Sequence, residues 1–213
     1  MIATRGGFRL KCEARSIYLI MLKKALIAIV VSLVLTIGLF CIVVAIQPED
    51  FTVTRSASMA ARPEVIFAQI NDFHKWDAWS PWAKIDPDMK VQYGGPEAGK
   101  GASYLWHGNE QAGEGKMTIR ESQPPQKVAI DLEFIKPFAS NNDITFNITP
   151  NGTSSDVTWT MSGKNNFLAK AFSLMMNMDT LVGGDFEKGL AQMKTVVESG
   201  PKTDPAPAAA DIK

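Results

Sequence analysis

The hydrophobic pattern divides the chain into one uninterrupted apolar block near its start and a longer region where apolar and polar positions alternate with changing period. The block is Ala25 to Ile46, ALIAIVVSLVLTIGLFCIVVAI, 22 residues without a charge. At roughly 1.5 Å per residue, a helix of that length spans the ~30 Å hydrocarbon core of a bilayer. Fifteen of the 22 are Leu, Ile, Val or Phe, each favouring insertion by roughly 0.3–0.6 kcal/mol near the centre. A cleaved signal peptide would have an apolar run of about 7–15 residues before a small-residue site. Val43-Val44-Ala45 offers such a site, but the run is too long and continues through Ile46. A membrane anchor is therefore the preferred reading. A lipoprotein modified at Cys41 is set aside, because Phe40 stands where a small residue would be expected.

After the block the pattern turns to strands and helices. Phe51 to Ala61 is β-prone and reads as a first strand. Arg62-Pro63-Glu64 opens a helix, with Pro in the first turn and Glu at the positive end. Val65, Ile66, Ile70 and Phe73 keep a helical spacing until Trp76-Asp77-Ala78-Trp79-Ser80-Pro81-Trp82, where Pro81 disfavours helix at Ser80. From residue 88 the period is two. Strands are predicted around Met89–Tyr93, Ser103–His107, Lys116–Glu121, Val128–Phe134, Ile144–Ile148 and Val157–Met161, separated by Gly, Pro and Asn-Gly turns. Six strands at hairpin spacing form an antiparallel sheet. Phe167 to Ser199 is helical, and Gly183-Gly184 is expected to divide a short helix from a long one. In the long part, Phe186, Leu190, Met193 and Val197 make one apolar stripe. The order of elements is α+β. A curved sheet folded round the last helix would leave a cavity between them unless it collapses onto the helix.

Four segments follow: a basic leader (1–24), the transmembrane helix (25–46), a domain (51–199) and a disordered Pro/Ala-rich tail (200–213). Arg5, Arg9, Lys11, Arg15, Lys23 and Lys24 precede the block against one acid, Glu13, whereas Glu49 and Asp50 follow it. The positive-inside rule then places the N-terminus in the cytoplasm and the domain outside it, which is the periplasm if the cell is Gram-negative. Met21-Leu-Lys-Lys also resembles a natural start, which would make residues 1–20 an extension with no structural role. The roughly 150 residues beyond the block suffice for one real core. Net charge is zero, which gives no reason to expect nucleic acid.

Chemistry is scarce in the domain. Cys12 and Cys41 both lie before it, so it holds no disulfide, thiolate metal site or cysteine nucleophile. His74 and His107 lack ligand spacing, and no metal or cofactor is expected. There is no Gly-x-Ser-x-Gly elbow and no phosphate loop. Asp131 and Glu133 face away from the apolar stripe of their strand, and Asp143, Asp156 and Asp185 sit at element ends, so no acid/base pair stands out. The glycosylation sequons at Asn147 and Asn151 are given no weight. Aromatic residues are the group that singles itself out: Trp79, Trp82, Tyr93, Tyr104, Trp106, Phe134, Phe146 and Trp159. Each either fills a core or lines an apolar cavity. Trp79 and Trp82 read as structural, closing the domain beside the first helix. Met175, Met176 and Met178, with Phe172, form a Met-rich approach to the last helix that suits core filling, a variable ligand or a membrane face.

Several stretches together resemble the START-like, or SRPBCC, superfamily, in its polyketide cyclase/dehydrase-like branch. They are Trp79-Ser80-Pro81-Trp82, Asp86-Pro87, Gly99-Lys100-Gly101 before Trp106, Gly115-Lys116-Met117 to Glu121, and Phe134 with Pro137. Val157-Thr158-Trp159 and Gly183-Gly184-Asp185-Phe186-Glu187-Lys188-Gly189-Leu190 with Met193-Lys194 complete the set. The resemblance covers about residues 52–199 and implies the helix-grip fold, a curved antiparallel sheet wrapped round a long C-terminal helix. That fold serves many functions, so function has to be argued from the site. The expected ligand-binding residues are Tyr93, Trp106, Ile130, Leu132, Phe134, Phe146 and Trp159 on the sheet, with Phe186, Leu190 and Met193 on the helix. The expected partners are a hydrophobic small molecule or lipid and a membrane. The alternatives are a cyclase- or hydrolase-type enzyme using the same cavity, or an extracytoplasmic interaction domain whose cavity is filled by its own side chains.

Overall fold

The computed structural model describes residues 5–174 and 178–200, in two compact units that divide between Gln47 and Pro48. The first is a single helix, α1 (Arg5–Ala45). It starts well before the apolar block, because the leader is rich in Leu, Lys and Arg and holds no proline to stop it. The expected leader is thus helical from Arg5. Within α1, Met21–Ala45 is long and apolar enough to cross a membrane, with a mean hydropathy of 3.1 over its most apolar 18 residues. Thr36 Oγ1 donates to Ser32 O at 2.9 Å, so this hydroxyl is satisfied within the helix itself.

The second unit begins with β1 (Asp50–Met59) and α2 (Pro63–Ile70), followed by two 3-10 turns, Phe73–Ala78 and Pro81–Lys84. Six strands come next: β2 (Lys90–Gly94), β3 (Ser103–His107), β4 (Glu114–Gln123), β5 (Lys127–Lys136), β6 (Ser140–Asn151) and β7 (Ser154–Lys164). Two helices close the fold, α3 (Phe167–Ser173) and α4 (Met178–Ser199). All pairings are antiparallel, in the order β1-β7-β6-β5-β4-β3-β2. Short turns make β2 to β7 a meander. β1 joins the far edge beside β7, so residues 60–89 must cross from one edge of the sheet to the other. This crossing segment carries α2 and both 3-10 turns, and α2 packs on β5, β6 and α4. The result is the helix-grip arrangement, α+β, with α4 held against β1.

Polar contacts at both ends fix α4. Lys194 Nζ donates to Ser58 O and Glu198 accepts from the Ala60 N–H, both at 2.7 Å. Near the other end, Arg55 of β1 donates from Nη1 and Nη2 to Asp179 at 3.0 Å and from Nε to Glu187 at 2.7 Å. The Gly183-Gly184 break is therefore a misreading. α4 runs through both glycines, because Gly183 makes room for the Arg55 guanidinium, which occupies the place of a Cβ at that position. α3 ends earlier, at Ser173, with Leu174 as its C-cap. Met175, Met176 and the tail from residue 201 lie outside the described residues.

The two glycines that follow differ in surroundings, and this yields a prediction. Nothing within 4 Å meets a Cβ on Gly184, whereas one on Gly189 would sit 2.9 Å from Trp159 Cζ3 and 3.1 Å from Pro81 Cδ. Helix propensity favours Ala over Gly by about 1 kcal/mol at either site. Overpacking at Gly189 costs about 1–3 kcal/mol. Gly184→Ala should raise the urea midpoint of the full chain, and Gly189→Ala should leave it unchanged or lower it.

Candidate functional site

A cavity of about 420 Å³ lies between the sheet and the elements above it. Its floor is built from two cross-strand rows. One runs Phe51, Gly163, Asn142, Leu132, Met117, Tyr104; the other runs Ser140, Phe134, Gly115, Trp106. Gly115 lets the Trp106 ring lie flat on the strand, since a Cβ there would collide with that ring. The roof comes from three places: Trp76, Trp82, Ile85 and Met89 of the crossing segment, Leu168, Ala169 and Phe172 of α3, and Val182 and Phe186 of α4. At the mouth, Phe138 in the β5–β6 turn meets Phe172 of α3, with ring centroids 6.3 Å apart.

Five of the ten expected site residues line this cavity: Trp106, Leu132, Phe134, Trp159 and Phe186. Ile130, Phe146, Leu190 and Met193 are instead buried in the core beside it, Ile130 in register with the wall residue Ile144 and Phe146 with Trp159. The reason is position along the element. α2, the first 3-10 turn and Trp79 just after it cover that part of the sheet with the buried Ile66, Phe67, Ile70, Phe73 and Trp79. Tyr93 lies apart, on the outer strand β2, in a separate recess where His74 stacks on its ring at 3.9 Å. Asp72 Oδ1 is 2.9 Å from His74 Nδ1. Trp79 is fully buried, as a structural residue should be, but Trp82 stands on the cavity wall, edge-on to Trp159 and Phe186.

Several wall residues escaped the sequence reading. Met117, Ile144 and Met161 share the inward alternation of their strands, so register alone would have found them. Ile85, Phe138 and Leu168 sit where no periodicity points at the sheet, and only the folded topology brings them in.

Polar groups on the wall are few. Ser80 and Asn142 are buried, Ser140, Asn165 and Asp185 are half-buried, and Asp77, Lys164 and Asn166 are exposed. Trp76, Trp79 and Trp106 each donate the indole N–H to a backbone carbonyl, of Ile70, Gln69 and Ala112. Trp159 Nε1, fully buried, has no partner. Among the described residues no three His, Cys, Asp or Glu side chains group as metal ligands. Burial pushes the Tyr104 hydroxyl up to about 12, with smaller contributions from Tyr93 and Asp77. Tyr93 is also raised, chiefly by burial and then by Asp77 and Asp72.

A half-open sheet gripping a C-terminal helix over an apolar hollow defines a helix-grip domain. Residues 50–198 match the family model described as polyketide cyclase / dehydrase and lipid transport, and the chain belongs to that family. No curated protein matches the chain. A Chromobacterium violaceum protein is similar in fold, with 13% identity, a TM-score of 0.51, and coverage of 69% of this chain and 96% of its own. The Aha1 dimer from Colwellia psychrerythraea is 13% identical with a TM-score of 0.50, over 71% and 98% of the two chains. A Nitrosospira multiformis protein is 18% identical, also with a TM-score of 0.50, over 70% and 97%. At these identities the likeness is one of fold.

The Tyr104 environment predicts an alkaline sensitivity. In the unfolded chain Tyr ionises near 10, whereas in the fold it holds its proton up to about 12. Its contribution to stability is therefore constant below pH 10 and declines as pH rises through that window. Urea midpoints measured from pH 9 to pH 12 should fall more steeply for the wild type than for Tyr104→Phe.

Proposed function

We propose that this protein is a membrane-anchored helix-grip module that binds a hydrophobic small molecule or lipid in its cavity. The observation that carries this reading is the hollow itself, roofed and floored by Trp82, Trp106, Leu132, Phe134 and Phe186. Its volume of about 420 Å³ falls within the roughly 300–1,000 Å³ of small-molecule sites, which are likewise apolar with few polar groups. The family description, which includes lipid transport, supports the same class of ligand. The hollow disfavours the alternative of an interaction domain filled by its own side chains. The Met21–Ala45 segment supports anchoring, with the basic leader in the cytoplasm and the domain on the other side.

Two substitutions separate wall from core. Phe146 is fully buried between Trp76, Trp79 and Trp159. Phe146→Ala should cost about 3–5 kcal/mol, as core truncations do. Phe134 is only partly buried and touches the cavity, so Phe134→Ala should cost less than that range. Bound ligand stabilises by about 2.7 kcal/mol at a hundredfold excess over Kd. Melts of the detergent-solubilised chain across fatty acids, isoprenoids and aromatic polyketides should show such a shift for at least one class, and mass spectrometry of the purified protein should find an apolar passenger. Equal penalties at both positions with no shift and no passenger would defeat the reading.

Orientation has its own test. A C-terminal alkaline phosphatase fusion should be active, and a green fluorescent protein fusion exported unfolded should be dark. The reverse pair of results would invert the topology, and a soluble chain starting near residue 46 would establish cleavage.

A further inference from the structure

The cavity mouth carries an apolar fringe that the domain itself does not cover. Phe138 in the β5–β6 turn, Phe167, Leu168 and Phe172 on α3, and Leu174 just after it are between 41% and 56% exposed. Large apolar side chains gathered on two short neighbouring segments mark an interaction surface. Phe138, Leu168 and Phe172 also line the cavity, so the fringe and the entrance are the same place.

Covalent structure says what such a surface meets. α3 is bound to the first residues of the domain. The Asn165 N–H donates to Glu49 O at 2.7 Å, and the buried Lys170 Nζ reaches Glu49 Oε1 at 3.4 Å. Asp50 is the register partner of Lys164, the last residue of β7. Only Gln47 and Pro48 separate Glu49 from Ile46, the end of the apolar block. At no more than about 3.6 Å per residue, that connection holds Glu49 within about 11 Å of Ile46. The headgroup layer on each side of a bilayer is about 5–8 Å deep. An apolar segment ending at the edge of the hydrocarbon thus carries Glu49, and with it the start of α3, in or next to that layer.

We propose that α3 and the Phe138 turn rest in the interfacial layer of the leaflet from which the anchor emerges. The cavity then opens onto the bilayer and exchanges its ligand with it without passage through water. Aromatic and aliphatic side chains inserted to that depth are the usual means by which a protein lies on a bilayer rather than across it. The inference rests on the anchored, ligand-binding reading above, and its test separates the two.

The full chain, with Cys12→Ser and Cys41→Ser, is reconstituted in phosphatidylcholine–phosphatidylglycerol vesicles containing lipid nitroxide-labelled near the headgroup. A nitrobenzoxadiazole probe is attached in turn to Phe138→Cys, Phe172→Cys and, as control, the exposed Thr149→Cys at the opposite end of β6. Quenching at 138 and 172 should be several-fold stronger than at 149. Equal, weak quenching at all three positions overturns the proposal. Lipid extraction and mass spectrometry on the same preparation judge the cavity separately. A bound passenger without quenching at 138 and 172 defeats this inference alone. Quenching without a passenger upholds the bilayer contact and defeats the ligand-binding reading.

Discussion

Trp159 is where the layers of the domain meet. Its indole stacks on Phe186 of α4 with centroids 4.0 Å apart and planes within 9°, and it meets Phe146 of β6 at 4.7 Å. Trp79 and Trp82, on either side of Pro81, approach it edge-on at 5.8 Å each. One residue thus sets the distance between sheet and last helix and receives both flanks of the Trp-Ser-Pro-Trp stretch. Gly189 belongs to the same contact, because only a residue without a side chain lets α4 come this close to the ring. Aromatic pairs of this geometry add about 0.5–1.5 kcal/mol each beyond their burial. The cluster is therefore a stiff spacer rather than a loose filling.

That spacer divides the inner face of the sheet into two regimes. On one side α2, Trp79, Leu190 and Met193 pack without a gap. On the other, the roof is a 3-10 turn, a loop, the short α3 and the first part of α4, and the strands beneath it stay uncovered over about 420 Å³. A sealed void of that size could not persist. At about 24 cal/mol per Å³ it would cost on the order of 10 kcal/mol, comparable with the whole stability of an ordinary domain. The Phe138–Phe172 mouth relieves this constraint, because a hollow that opens outward can be filled from outside.

The sequence carried the architecture well and the site only halfway. Periodicity placed β3 and the helical stripe of α4, and found the cores of the other strands. It failed at Gly183-Gly184, where propensity argues for a break and the need to seat Arg55 decides otherwise. For the site, alternation tells which face of a strand looks inward, but every second residue looks inward along the whole strand. Leu132 and Ile130 are indistinguishable in pattern, yet one lines the cavity and the other is sealed under α2. What separates them is where the crossing segment comes to rest, a long-range outcome that no local period encodes. Trp82 shows the same limit. Its motif marked it as structural, and its neighbours Trp159 and Phe186 put it on the cavity wall.

The chemistry of the wall constrains what kind of recognition is open to this fold. Discrimination by hydrogen bonding requires buried polar groups that a wrong ligand would leave unpaired. Here the buried polar groups at the wall are Ser80, Asn142 and the partnerless Trp159 Nε1, while Asp77 and Lys164 are exposed and the half-buried Asp185 is paired with Lys188. For the ligand proposed above, most of the affinity must come from apolar contact, at about 0.8 kcal/mol per methylene buried. Contact of that kind grades ligands by length and bulk, and it separates close relatives weakly. Selectivity then depends on which molecules reach the mouth. Under the anchored, ligand-binding reading proposed above, the nearest source of such molecules is the bilayer itself, so location supplies the specificity that the cavity lacks.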